Sequence, residues 1–288
     1  MKIMLIGANG QLGTELCVAL KDQDLVPLTQ EQIEISEMDS IIQVCRTHKP
    51  QMIINTASYI RVDDCEDNVD LAYRINALGA RNLAVAAQEY GAVLAHLSSD
   101  YVFGADEKRQ SPYNEFDIPA PINVYGFSKL AGEQYIQNLC RAYFIIRTSA
   151  LYGAALCMGK GSNFVDTIIK LSKEKSELRI VKDQVLSTTY AKDLAVKISQ
   201  LIRTKYYGIT HITNSGSCSW FEFADEILKL TGSQVRIVPA TSEQFPTRAR
   251  RPFYSVLSNY HLKLIGMEDM RDWRSALREY LKEKNILH

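Results

Sequence analysis

Near its start the chain reads Ile3-Met4-Leu5-Ile6-Gly7-Ala8-Asn9-Gly10-Gln11-Leu12-Gly13, then continues in a helical pattern to residue 21. Four apolar residues ended by a glycine read as a buried strand. The glycines spell GxxGxxG between that strand and a helix. Gly7 permits a tight turn, Gly10 lets the backbone approach a pyrophosphate, and Gly13 lets the helix sit close to the sheet. Amides of the first helical turn, with the helix dipole behind them, then hold the phosphates. A purely structural glycine turn is the competing reading. The strand–loop–helix setting favours a bound dinucleotide.

Outward from this motif, apolar runs at 25–28, 52–55, 92–97 and 143–147 alternate with helical patterns at 38–47, 69–90 and 125–139. Buried strands separated by helices predict an α/β fold, a doubly wound parallel Rossmann sheet. Residues 1–150 would form this dinucleotide-binding domain. Residues 151–288 would be mainly a smaller substrate-binding lobe, with some elements returning to the first domain. A loop is expected at 154–162, and helices at 163–173, 190–203, 220–231 and 271–283.

Of 288 residues, 46% are hydrophobic, enough for a sizeable core. Lys plus Arg and Asp plus Glu both number 33, so no net charge draws the chain to nucleic acid or an anionic membrane. The N-terminal apolar run is too short for a signal peptide or a membrane span. A cytoplasmic monomer or homodimer is expected. The six cysteines form no CxxC pair and read as free thiols in a reducing compartment. No metal site is expected, since the five histidines show no HxxxH spacing.

The second strand ends in Thr29-Gln30, with neither the carboxylate that favours a 2′-hydroxyl nor an arginine for a 2′-phosphate. NADH and NADPH both stay open. Glu34 and Ile35 either flank the adenine or belong to a solvated loop.

Tyr125-Gly126-Phe127-Ser128-Lys129 opens a helix, placing Tyr125 and Lys129 on one face. Carbonyl reduction needs a proton donor, and an ammonium nearby lowers a phenol's pKa. A surface Tyr/Lys pair is the bland alternative. The fourth strand ends in Ser98-Ser99-Asp100-Tyr101, where an open parallel sheet faces its ligand. Ser99 would bond a substrate carbonyl with Asp100 beside it, or the serines merely cap the strand.

With these motifs the chain resembles the extended short-chain dehydrogenase/reductases, and most closely the dTDP-4-dehydrorhamnose reductase family. The likeness runs through GANGQLG, Asn55-Thr56-Ala57, SSDYVFG, YGFSKLAGE, Arg147-Thr148-Ser149, Asp183-Gln184 and Arg251-Pro252. It implies reduction of the 4-keto group of a nucleotide-linked deoxysugar by NADPH or NADH. Tyr125 would donate the proton, with Lys129, Ser99 and Asp100 as its catalytic partners. Gly7, Asn9, Gly10, Gln11, Leu12 and Gly13 would hold the cofactor, with Ala57 and Tyr59 flanking it, Tyr125 beside it and Lys129 also binding the nicotinamide ribose. Val62, Asp63, Tyr101 and Ala150 would line the sugar site. Gln184, Arg248 and Arg251 would lie toward the nucleotide, and Arg248, Arg250 and Arg251 form either a diphosphate clamp or a solvated basic turn.

Two departures fall in the substrate half. Ala150 stands where the family has Trp, and Leu186-Ser187-Thr188-Thr189 replaces a GxPT run. Two other functions fit the same motifs: a non-catalytic regulatory subunit like the methionine adenosyltransferase beta subunit, and a nucleotide-sugar epimerase or dehydratase.

Overall fold

The computed structural model describes residues 1–155 and 161–287. Most of the loop expected at 154–162, with Cys157, lies outside the described residues. β1 (Lys2–Ile6) leads into α1 (Gln11–Ala19), followed by β2 (Asp24–Leu28), α2 (Met38–His48) and β3 (Met52–Asn55). Next come α3 (Val62–Asp67), α4 (Val69–Tyr73), a π-helical segment (Arg74–Gly79) and α5 (Ala80–Tyr90). β4 (Val93–Ser99), α6 (Val124–Leu139) and β5 (Tyr143–Thr148) follow. Further on lie β6 (Leu151–Tyr152), α7 (Phe164–Glu174), β7 (Glu177–Val181), β8 (Val185–Leu186), β9 (Thr189–Tyr190) and α8 (Ala191–Leu201). The rest comprises β10 (Gly208–His211), β11 (Cys218–Ser219), α9 (Trp220–Leu230), β12 (Arg236–Ala240), α10 (Tyr260–Leu264) and α11 (Trp273–Glu283).

Six parallel strands make the central sheet, in the order β10-β5-β4-β3-β1-β2. The order reverses at β1, so the glycine loop opens at the switch-point crevice. Ile3 and Leu5 pack with Leu12, Leu16, Leu194 and Ile198 on one face of the sheet. Met4 and Ile6 pack with Ile41, Leu83 and Ala84 on the other. Burial on both faces is why these strands read as unbroken apolar runs, and the doubly wound α/β class holds. β10 extends the sheet beside β5, and α8 packs on α1. Tyr152, Tyr190, Phe223, Trp273 and Tyr280 form a separate core between α7, α9 and α11. Cys17 is half-buried and Cys45, Cys65, Cys140 and Cys218 are buried, all as free thiols.

The helix expected over 69–90 is interrupted by its π-helical segment. That turn carries Asn76 inward, where Nδ2 donates to Ser128 Oγ (3.0 Å) and Tyr59 O (3.1 Å) while Oδ1 accepts from Tyr59 N (2.8 Å). A Cβ on Gly132 of α6 would stand 2.4 Å from Asn76 O. Glycine therefore permits α6 to lie directly on the π turn, a feature frequent at functional sites.

Candidate active site

Leu28 O at the end of β2 accepts from Gly7 N (2.9 Å) and Ala8 N (3.0 Å), fixing the start of the loop. Gly7 holds φ +80°, and a Cβ on Gly13 would lie 2.1 Å from Gly7 O, so α1 sits on the loop backbone. No side chain caps α1 at Gly10, and its first turn has no acidic residue. A helix start left this way suits an anion, and these residues fit a dinucleotide pyrophosphate.

The side chains of the loop divide. Asn9 is exposed at the crest. Leu12 is in the core and Gln11 Nε2 donates to Gly153 O at 3.2 Å, which leaves the loop-facing backbone of both for the cofactor. Ala57 N donates to Asn55 Oδ1 (3.0 Å), and Tyr59 is half-buried over Asn76. The Ile35 side chain is buried in the core, where a Cβ on Gly79 would meet its Cδ1 at 2.9 Å. Only its backbone is left to flank an adenine. Glu34 is half-exposed and accepts from Ser36 N (3.0 Å) and Gln30 Nε2 (3.3 Å). Burial acts to raise its carboxyl, but those bonds and nearby Arg74 hold it below the usual range. Arg74, on the π turn, is thus a cation beside the loop after β2 that sequence spacing did not reveal.

β4 ends at Ser99, and Asp100-Tyr101-Val102 form one tight turn beyond it. Ser99 Oγ accepts from Tyr101 N (3.1 Å) and donates to Asp100 Oδ1 (3.1 Å), while Ser255 Oγ donates to Asp100 Oδ2 (2.7 Å). Burial pushes the Asp100 carboxyl up to about 6 against the pull of these serines. Asn123 Oδ1 caps α6 by accepting from Gly126 N at 2.8 Å. A Cβ on Gly126 would stand 2.1 Å from Tyr101 O, so the first turn of α6 presses on the Ser99 turn. Tyr125 is thereby brought beside Tyr101, ring centroids 5.9 Å apart.

Burial raises the Tyr125 phenol above its ordinary pKa, the Ser99 and Ser58 hydroxyls act downward, and Asp100 acts upward. The sequence reading gave the lowering role to Lys129. Instead Lys129 is buried with Nζ donating to Leu97 O (2.6 Å) and facing His96 Nε2 (3.3 Å). Its amine is directed at β4, and the groups acting most strongly on Tyr125 do not include it. Burial brings the Lys129 pKa down to about 8, with Glu133 acting upward.

Next to Tyr101 a cavity of about 720 Å³ runs toward β7, walled by Gln184, Phe164, Trp220, Arg250 and Arg251 among others. Gln184 Nε2 donates to Ser242 Oγ at 2.9 Å. Arg251 pairs with Asp63 at 2.6 Å, and Ala249 N donates to the same carboxylate at 3.1 Å. Arg251, with Ala249 behind it, holds the Asp63 carboxyl below its usual range. Arg250 pairs with Glu107 at 3.0 Å. Arg248 is exposed and paired with Asp67; it is not among the described residues walling the cavity, though Thr247 and Ala249 on either side of it are. The three-arginine cluster thus offers the cavity two guanidiniums. Val62 opens α3, half-buried next to Asp63. Ala150 is half-buried at φ +41° and is also absent from the described cavity wall. Phe164 and Trp220, with ring centroids 4.4 Å apart, were not singled out as site residues. Their sequence signal was their place in two family-like stretches of the second half, ending in Asn163-Phe164-Val165 and Cys218-Ser219-Trp220.

Comparison with known proteins agrees with this geometry. The model of the family described as RmlD substrate binding domain matches residues 1–286. The spore coat polysaccharide biosynthesis protein SpsK of Bacillus subtilis is 41% identical over 286 residues, covering 99% of this chain and 98% of that protein. A dTDP-4-dehydrorhamnose reductase of Burkholderia thailandensis is 34% identical, covering 96% of this chain and 97% of that protein. The crystal structure of dTDP-4-dehydrorhamnose reductase from Bacillus anthracis in complex with NADP superimposes with a TM-score of 0.93 at 44% identity, covering 98% of this chain and 99% of that chain. Matched along nearly its whole length, the chain belongs to the RmlD family, in which the dTDP-4-dehydrorhamnose reductases fall.

Proposed function

We propose that the protein reduces the 4-keto group of a nucleotide-linked deoxysugar with NADPH or NADH. The substrate is dTDP-4-dehydro-L-rhamnose, and the product dTDP-L-rhamnose is a precursor of cell-surface or spore polysaccharide. One observation carries this reading: Ser99 and Tyr125 meet at the carboxyl edge of the sheet, the edge that also bears the uncapped start of α1, and Tyr125 stands beside Tyr101 in the wall of a cavity bearing two arginines. Residues 1–150 hold the cofactor, and residues 151–288 mainly hold the sugar nucleotide. No helix among the described residues is long and apolar enough to cross a membrane. The enzyme acts in the cytoplasm as a monomer or homodimer.

The bound cofactor supplies the hydride. Tyr125 Oη gives its proton to the O4 oxygen as C4 is reduced, so carbonyl, hydride and proton become an alcohol. Burial holds the phenol in its protonated form, and the Ser99 and Ser58 hydroxyls act downward on its pKa, toward the range in which a proton is readily given. Ser99, held between Tyr101 N and Asp100, orients the carbonyl. Tyr101, Val62 and Asp63 shape the sugar site, and Gln184, Arg250 and Arg251 face the nucleotide diphosphate.

The test is NAD(P)H consumption on a panel of nucleotide-linked 4-keto-deoxysugars, with Tyr125→Phe as control. Stoichiometric oxidation is expected, and Tyr125→Phe should lose about a hundredfold to ten-thousandfold in turnover. An epimerase or dehydratase consumes no net cofactor, and a regulatory subunit turns over none of the panel. Either result overturns the proposal.

A further inference from the structure

Behind Lys129 lies a line of buried polar groups that the proton-donor role of Tyr125 does not use. Asn55 ends β3 and His96 is its register partner on β4. Asn55 is 1% exposed, His96 1% and Lys129 1%, so no solvent enters the line. Ala57 N donates to Asn55 Oδ1 at 3.0 Å. That bond fixes the amide, and the atom 3.0 Å from His96 Nδ1 is therefore the donor Nδ2. An imidazole nitrogen that accepts a hydrogen bond carries no proton, so the proton of the neutral ring sits on Nε2. His96 Nε2 faces Lys129 Nζ at 3.3 Å. A neutral amine there accepts the ring N–H through its lone pair. An ammonium has only N–H groups to offer and meets it donor against donor. Leu97 O, accepting from Nζ at 2.6 Å, serves both forms.

We propose that His96 is a positioning residue for Lys129: the one-directional line from Asn55 aims a ring N–H at Nζ and so weakens the lysine's hold on its proton. The proposal rests on the reductase reading, in which Lys129 stands one turn from the proton donor Tyr125 and binds the nicotinamide ribose. Other groups around Nζ cannot substitute. Glu133, one turn further along α6, favours the ammonium, but its carboxylate is taken by Arg147 of β5 in a two-bond pair at 2.9 and 2.6 Å. Tyr125, one turn back on α6, faces Ser99. His211 on β10 faces Arg147 at 3.4 Å rather than the lysine. Two shifts agree with the geometry. Burial, and then Lys129, press His96 well below its ordinary pKa, keeping it neutral. Burial already brings Lys129 down to about 8, where uptake and release of a proton are both accessible near neutral pH, so a neighbouring ring N–H acts on an amine poised between its two forms.

The test reads the two residues directly by NMR on the cofactor-free protein. Two-bond 15N correlations give the His96 tautomer, and the 13Cε shift gives the Lys129 titration. The expected result is the Nε2–H tautomer and a Lys129 midpoint well below that of an ordinary lysine. In His96→Gln the amide oxygen can accept from the ammonium, so the midpoint should rise by about one pH unit or more. The basic limb of the pH–turnover profile should move up with it. An Nδ1–H tautomer in the parent protein, which needs no variant to observe, overturns the proposal. So does a Lys129 midpoint that His96→Gln leaves in place. Absence of reductase turnover would count against the functional reading alone and leave these signals untouched.

Discussion

Asp63 on α3 and Arg251 near the end of the cavity wall are joined at 2.6 Å although they lie 188 residues apart in sequence. This pair ties the wall of the cavity to the first half of the chain and sets the guanidinium at the cavity edge. Removing the carboxylate loosens Arg251, which keeps only its weaker hold on Ala249 O (3.1 Å) and Tyr101. Asp63→Ala should raise KM for the sugar nucleotide about tenfold, equivalent to about 1.4 kcal/mol, while NAD(P)H affinity stays within twofold or so of the parent. Steady-state kinetics with a separate cofactor titration checks this. Equal losses for both ligands would place Asp63 in general folding rather than at the sugar site.

Gly10 separates the loop from α1. Apart from its two chain neighbours, the one atom within 4 Å of a Cβ built there is Gly7 O at 3.2 Å. A valine therefore meets little protein, and its methyls stand where a pyrophosphate approaches the helix start. Gly10→Val should stay folded and bind NAD(P)H at least about tenfold more weakly. Fluorescence titration of the reduced cofactor gives the answer, and unchanged affinity would move the cofactor elsewhere.

Much of the first half was legible in sequence because burial on both faces leaves strands as apolar runs between glycines. The later strands were not. β7 and β12 pair with each other outside the main sheet and carry exposed charges such as Glu177 and Arg236. β10 is four residues long, and only its seat beside β5 makes it a strand. At the site, Ser99, Tyr125 and Lys129 could be named because spacing places them at a strand end and on one helix face. His96 could not, since its meaning depends on lying across from Asn55 in the register of two parallel strands. For Ile35 and Arg248, type and spacing could not show that one side chain packs against the Gly79 turn and the other pairs with Asp67.

Asp100 should impose a pH dependence on stability. Its folded pKa, about 6, lies above the ordinary carboxylate value of 3.8. The folded state therefore holds this proton more tightly than the unfolded chain. The associated stability is fully present below about pH 4 and is lost as pH rises through about 6, on the order of 3 kcal/mol. Asp100→Asn cannot ionise and should lack this decline. Urea unfolding of both proteins between pH 4 and 7.5 or so tests it. Parallel pH curves would contradict the shift.

Glu133 and Arg147 form a buried two-bond ion pair, 0% and 1% exposed at their side chains. Removing one charge strands the other away from water. Glu133→Gln should destabilise the fold by about 3–5 kcal/mol, visible as a lowered urea midpoint. A loss below about 1 kcal/mol would mean that water or another group reaches Arg147.

The central claim is a hydride delivered to C4 of a nucleotide-linked sugar with net oxidation of the cofactor. The direct measurement supplies NADPH deuterated at its transferable position with dTDP-4-dehydro-L-rhamnose and follows the sugar by NMR. The predicted result is one deuterium at C4 of dTDP-L-rhamnose for each NADP⁺ formed. Product without deuterium at C4, or sugar conversion with no NADP⁺ accumulating, would contradict it.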